Sequence, residues 1–249
     1  MNTSDYRRFG GISRLFGRDC FEQLSHSHVC IVGVGGVGSW AAEAMVRTAI
    51  GRITIIDGDT VEQSNTNRQL PAMDGQYGRK KVEVLAERFK AINPQAQIEA
   101  KSIFINDENI DDAIGSPDIV LDCIDSLKAK AQLIAWAKSK NIPLIVSAGA
   151  GGRVDATRIK VDDLARVNGD GLVSALRSTL RKNYGFPKGS TQSKNQKFGF
   201  LTVYSDEPVL PSQDGEDGFG VFVGVTATFG MTMASLAVQT LLKEKNHNF

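Results

Sequence analysis

The sequence predicts an α/β fold: a Rossmann-like, mainly parallel sheet flanked by helices, with antiparallel strands toward the C-terminus. Three observations predict it. A short apolar run, Val29 to Val32, reads as a buried parallel strand. It runs into Gly33, Gly35, Gly36 and Gly38, a G-x-G-G-x-G turn, and then into a helical stretch with Trp40, Ala41, Ala44, Met45 and Thr48 at helix spacing. A second apolar run, Ile53 to Ile56, ends in Asp57. This is a β-α-β unit whose first turn lacks side chains. Without a Cβ the backbone bends tightly, and amide groups come close to a phosphate at the helix N-terminus. Asp57, about twenty residues past the last glycine, is spaced to accept hydrogen bonds from ribose hydroxyls. The fingerprint alone fits NAD or FAD as well as ATP.

Length and composition set the frame. The chain has 249 residues, 41% hydrophobic and 23% charged, and reads as one domain. Its nucleotide-binding half spans about residues 1–150. The formal net charge of +1 gives no global field for nucleic acid. Between Arg153 and Phe200, however, ten Lys or Arg face four Asp and no Glu, a local +6. That basic segment, about 153–200, is the candidate site for a polyanionic substrate. The three cysteines, Cys20, Cys30 and Cys123, form no C-x-x-C pair, which argues against a zinc knuckle and fits a reducing cytoplasm. The stretch MNTSDYRRFGG has no apolar signal-peptide core.

The elements follow in order. Residues 1–28 read as an arm and a helix anchored by Tyr6, Phe9, Ile12, Leu15 and Phe16, with Arg7, Arg8, Arg14 and Arg18 as candidate phosphate contacts. After Asp57 the polar run DGDTVEQSNTNRQ is a loop or short helix at the carboxyl end of a parallel strand, where ligands bind in open α/β sheets. Arg68 within it is suited to a triphosphate. Lys81 opens the next amphipathic helix, with Val82, Leu85, Phe89 and Ile92, and either reaches the phosphates or belongs to an exposed basic helix start. Strands are expected over 97–101, 118–123 and 143–148.

The second of these ends in DCIDS. There Asp125 can hold Mg²⁺ against ATP phosphates, while Asp125 or Ser126 can cap a helix over 128–140. An antiparallel strand is expected over 153–161, a helix in two pieces over 162–184, a mobile loop over 185–199 and a last strand over 200–204. The uncharged stretch 218–242 is long enough to cross a bilayer. Its threonines and glycines favour a buried final helix after a glycine-rich turn or strand.

Taken together, RF-x-G near Arg8, GVGGVGSW at 33–40, DGDTVEQSNTNRQ at 57–69, GRKKV at 78–82 and DCIDS at 122–126 resemble the E1-like superfamily of ATP-dependent adenylating enzymes, which includes the ubiquitin-activating, ThiF and MoeB-like proteins. The resemblance implies an E1-like adenylation fold, a homodimer, and ATP with Mg²⁺ at Asp57, Asn65, Arg68, Gln69, Lys81 and Asp125. Asp59, Ser64 and Ser126 lie in the same motifs. Arg68, Lys81 and Asp125 would be the catalytic set.

Within the superfamily the chain looks most like the branch that dehydrates N6-threonylcarbamoyladenosine in tRNA. The supporting pieces are RFGGISRLFG, NTNRQLPA, SAGAGGRVDATRIKVDDLARVNGDGL and VTATFGMTMAS. That implies a tRNA partner, with a sulfur-transfer protein of the cysteine desulfurase or SufE-like kind as a further candidate. Activation of a ubiquitin-like or sulfur-carrier C-terminus, and NAD-dependent oxidoreduction, are the alternatives. Many relatives carry R-Y-x-R-Q near the N-terminus, whose second arginine reaches the partner's ATP. Gly11 stands there in this chain, leaving Arg14 or Arg8 as the candidate.

Overall fold

The computed structural model describes residues 3–188, 196–215 and 217–243, with side chains from Arg7 onward. The anchor role expected of Tyr6 lies outside the described residues, as do 189–195 of the mobile loop expected over 185–199. Two helices, α1 (Thr3–Phe16) and α2 (Arg18–His26), meet at Gly17, whose φ of 89° is a left-handed value that favours glycine. Phe9 is buried, but Leu15 is 70% exposed and anchors nothing within the chain.

The β-α-β unit follows as β1 (His28–Val32), α3 (Gly38–Arg47) and β2 (Arg52–Ile56). Next come α4 (Lys81–Ile92), β3 (Gln97–Lys101), α5 (Ile110–Ile114), β4 (Ile119–Asp122), α6 (Leu127–Lys140) and β5 (Leu144–Ser147). The chain continues through β6 (Ile159–Asp163), α7 (Gly171–Asn183), β7 (Leu201–Ser205) and α8 (Val223–Lys243). The sheet order is β3-β2-β1-β4-β5-β7-β6, parallel throughout except for β6, which runs antiparallel to β7.

Register brings the functional loops to one edge. Val32 pairs with Ile56 on one side and Asp122 on the other, so β1, β2 and β4 end level. Gly33, Asp57 and Cys123 therefore leave the sheet side by side. Chain order reverses direction between β1 and β4, the point where open α/β sheets leave a crevice.

The core explains the strand and helix patterns. Val29, Ile31, Ile53, Ile55, Val120 and Leu121 are fully buried, as are Met45, Leu85 and Phe89 on the helices. Each such side chain stabilises the fold by about 1.5–3 kcal/mol. The uncharged C-terminal stretch is a core helix. α8 packs on α3, β4, β5 and β7, and a Cβ at Gly230 would lie 2.6 Å from the Val37 carbonyl oxygen, so glycine lets α8 and α3 approach closely. Residues 218–222 before α8 form no strand.

Two expectations shift. Residues 153–158 are not a strand: Asp155 accepts from Thr157 N at 2.9 Å and starts a short 3₁₀ turn, so β6 begins only at Ile159. The helix expected in two pieces is one helix, α7. Before it, Asp163 accepts backbone N–H groups from Ala165, Phe198 and Gly199, which holds 164–170 in a loop. Asp170 then caps α7 by accepting from Val173 N at 2.9 Å.

Candidate functional site

The four glycines divide into two pairs. Gly33 has φ 84°, and its Cβ would lie 2.8 Å from the Cys123 carbonyl oxygen, while a Cβ at Gly38 would lie 1.8 Å from the Gly33 carbonyl oxygen. These two let the strands and turn close. Gly35 and Gly36 meet only side-chain atoms, at 3.4–4.0 Å, and face a cavity of about 720 Å³ at the sheet's crevice. They leave backbone bare toward the space where a phosphate would sit.

Asp57 is tied to that turn. One oxygen accepts from Val34 N at 2.8 Å and the other from Asp59 N at 2.9 Å. The carboxylate fixes the glycine turn against the β2 loop and keeps lone pairs for a further donor. The polar run after Asp57 folds as the expected loop, with a 3₁₀ turn at Gln63–Asn65. Asn65 and Gln69 are buried in the cavity wall, and Gln69 Oε1 has no hydrogen-bond partner among the described residues. Arg68 donates to the Ser64 carbonyl oxygen at 2.8 Å and to Asn67 Oδ1 at 2.9 Å, which aims the guanidinium along the wall.

Lys81 is 5% exposed and pairs with Asp59 at 2.9 Å, so it is no part of an exposed basic helix start. The cavity also takes Asp125 and Ser126 from the end of β4. Ser126 occupies the N-cap position of α6, yet its side chain makes no capping bond, and Asp125 makes no ion pair among the described residues. Asp125 is thus the free carboxylate of the set. One carboxylate beside substrate phosphates is the donor set magnesium uses, so the residues fit that ion.

Three expected residues fall outside this wall. Gly38 packs behind the turn, Ser64 contributes its carbonyl to Arg68 with its side chain outside the cavity, and Arg14 lies on α1 away from the cavity of its own chain. Sequence reasoning missed others. Ile103, Phe104 and Asn106, after β3, close one side, and the Phe104 ring lies over Gly58, where a Cβ would come within 2.5 Å. Their place at the carboxyl end of a parallel strand was the available signal. Lys128 on α6 and Thr226 on α8 also line the cavity.

Beneath it, Asp122 pairs with Lys130 at 2.9 Å, both fully buried, and burial raises the Asp122 carboxyl above its ordinary range. Nearby, Asp170 accepts from Gly149 N at 3.1 Å and from Arg153 Nη2 at 3.0 Å, which fixes the Gly149–Gly151 turn in the cavity wall.

Burial disfavours the thiolate form of two cysteines. Burial pushes Cys30 up to about 12 and raises Cys123, the one cysteine in the cavity wall, further still. The basic segment is less free than its charge count suggests. Asp170 takes Arg153, Asp206 takes both Arg158 and Lys160, and Asp162 lies 3.9 Å from Arg166. Among the described residues Lys182, Lys188 and Lys197 are exposed and make no ion pair.

Comparison with known proteins matches this architecture. A ThiF family sequence model matches residues 9–249. The chain is 41% identical over 252 residues to the tRNA threonylcarbamoyladenosine dehydratase of Haemophilus influenzae, covering 96% of this chain and 95% of the relative. The crystal structure of the Escherichia coli tRNA N6-threonylcarbamoyladenosine dehydratase with ATP superposes with a TM-score of 0.91 at 40% identity, covering 98% of this chain and 97% of that one. The Escherichia coli molybdopterin-synthase adenylyltransferase is 35% identical, but over only 137 residues, 55% of each chain.

Proposed function

The chain belongs to the ThiF family, and from that premise we propose that it is an ATP-dependent enzyme that dehydrates N6-threonylcarbamoyladenosine in the anticodon loop of tRNA to its cyclic form. The observation that carries this reading is coverage: likeness to the dehydratases runs nearly end to end, and likeness to a sulfur-carrier type of adenylyltransferase stops at about half the chain.

The chemistry fits the site. A carboxylate resists attack because it is anionic and its oxide is a poor leaving group. Its oxygen attacks the α-phosphorus of ATP, pyrophosphate departs, and an acyl-adenylate forms. A nitrogen or oxygen of the carbamoyl group then attacks the activated carbonyl and AMP leaves with the carboxylate oxygen, so the nucleoside loses one water. The closure is intramolecular, so holding the substrate in the reactive geometry supplies much of the rate. No protein thiol is needed, in keeping with the raised thiols.

Arg68 and Lys81 hold the phosphates and offset charge that develops during transfer. Asp57 orients the ribose. Asp125 would hold magnesium, and the ion would supply charge neutralisation. Asn65, Gln69 and Ser126 complete the nucleotide contacts. The segment 153–200 meets the tRNA backbone through its free lysines.

The reading extends to a cytoplasmic homodimer in which Arg14 of one copy reaches the site of the other, and to a sulfur-transfer protein as an accessory partner. The test is mass analysis of nucleosides from threonylcarbamoyladenosine-bearing tRNA after incubation with ATP and magnesium. Loss of one water, dependent on ATP and abolished by Arg68→Ala or Asp125→Ala, is expected. An unchanged mass with ATP binding intact overturns the proposal and turns attention to protein C-termini as substrates.

A further inference from the structure

Three cations line the nucleotide cavity: Arg68, Lys81 and Lys128. The first two are committed to acceptors of the protein itself, Ser64 and Asn67 for Arg68 and Asp59 for Lys81. Lys128 has no hydrogen-bond or ion-pair partner among the described residues. Its neighbour one turn on, Gln132, donates to Asp107 Oδ2 at 2.5 Å, so that acid is occupied by another group.

Lys128 is exposed to solvent at the cavity, and no contact among the described residues calls for a lysine there. It sits in the first turn of α6, which holds no acidic residue, where the helix dipole opposes positive charge. Arg68 and Lys81 come from the segment after β2, whereas Lys128 comes from the segment after β4. These strands flank β1, so the two sets of cations stand on opposite sides of the glycine turn.

The proposed reaction brings a second anion, the substrate carboxylate, up to an anionic α-phosphate, and like charges oppose that approach. Resting on that reading, we infer that Lys128 binds the carboxylate of the nucleoside and draws it to the nucleotide. Its ligand is the acyl substrate, and the ATP phosphates belong to Arg68 and Lys81.

The test is a charge-by-charge cycle on the full chain, with α,β-methylene ATP in the site to prevent turnover. Binding is measured for threonylcarbamoyladenosine tRNA and for the same tRNA with the carboxylate masked as a methyl ester. Wild type is expected to favour the acid by about tenfold, Lys128→Met to lose that preference, and Lys128→Arg to restore most of it. Affinity for the nucleotide alone is expected to change by less than about twofold in both variants. A preference for the acid that survives in Lys128→Met overturns the inference. So does a parallel fall in nucleotide affinity, which would assign Lys128 to phosphate. Equal binding of acid and ester by wild type, with water still lost from tRNA under ATP, sinks the inference alone. No loss of water sinks the proposed activity and the inference together.

Discussion

The two ends of the sheet treat charge differently. At the β2-β1-β4 edge, Arg68, Lys81, Lys128 and Asp125 face a cavity, and the protein partners them in part or not at all. At the β7-β6 end, carboxylates collect donors from the chain itself. Asp163 takes three backbone N–H groups, Glu207 takes Val154 N and Asp155 N, Asp206 takes two cations, and Asp170 takes Arg153, Gly149 N and Val173 N. One end leaves charge facing a cavity. The other uses charge to shape backbone that has few regular hydrogen bonds of its own.

Substitutions can break that contrast. The largest effect is expected at Gly38→Ala. Its Cβ would collide with the Gly33 carbonyl oxygen, and no soluble folded protein should be recovered, or one weakened by about 3 kcal/mol or more in urea denaturation. Gly36→Ala, whose Cβ finds ordinary contacts, should fold normally and lose ATP affinity by calorimetry. If both fold alike, the division of the glycines is wrong.

Asp170→Ala comes next. It strands a buried guanidinium and removes a helix cap, and should cost about 3–5 kcal/mol, with Asp170→Asn recovering the cap. Asp125→Ala, at the other end, should leave the denaturation midpoint in place while lowering turnover by at least about a hundredfold, to below detection in the nucleoside assay.

A smaller effect is expected from pH. Burial would raise the Glu43 carboxyl, but hydrogen bonds from Arg88 and Arg47 overturn this and hold it below its ordinary value of 4.5. A depressed folded pKa means that its stabilisation is present above pH 4.5 and is lost as pH falls through the folded value. Denaturation midpoints should therefore decline below that pH, and Glu43→Gln should flatten the decline. The smallest effect is expected at Asp206→Asn. It releases Arg158 and Lys160, and should steepen the salt dependence of tRNA binding by about one in log–log slope.

Legibility in the sequence follows the same division. Every strand except β6 fell within a residue or two of its predicted bounds, because a short apolar or alternating run between turn signals is decided by neighbours; β6 began six residues late, where Asp155 starts a 3₁₀ turn. Asp57 and Asp125 were readable from the strand ends they follow, and Arg68 and Lys81 from the polar loop and helix start after β2 together with the family motifs; all four line one cavity. The loop over 164–170 was not readable, because Asp163 and Asp170 act on backbone more than ten residues away. Charge counting overstated the free cations in 153–200 because Asp206, which absorbs two of them, lies beyond the window. Lys128 escaped notice because a lysine early in a helix has no signature until the cavity beside it is seen.

One consequence concerns the order in which the chain is made. Every nucleotide motif lies before residue 127, yet the cavity wall includes Thr226, and α8 fills the space over α3, β4, β5 and β7. A nascent chain that has delivered all its motifs still lacks that wall and leaves a broad apolar face of α3 and the sheet bare. Competence for ATP should appear only when α8 clears the ribosome. Fragments that stop short of Val223 should therefore be insoluble despite carrying the whole signature.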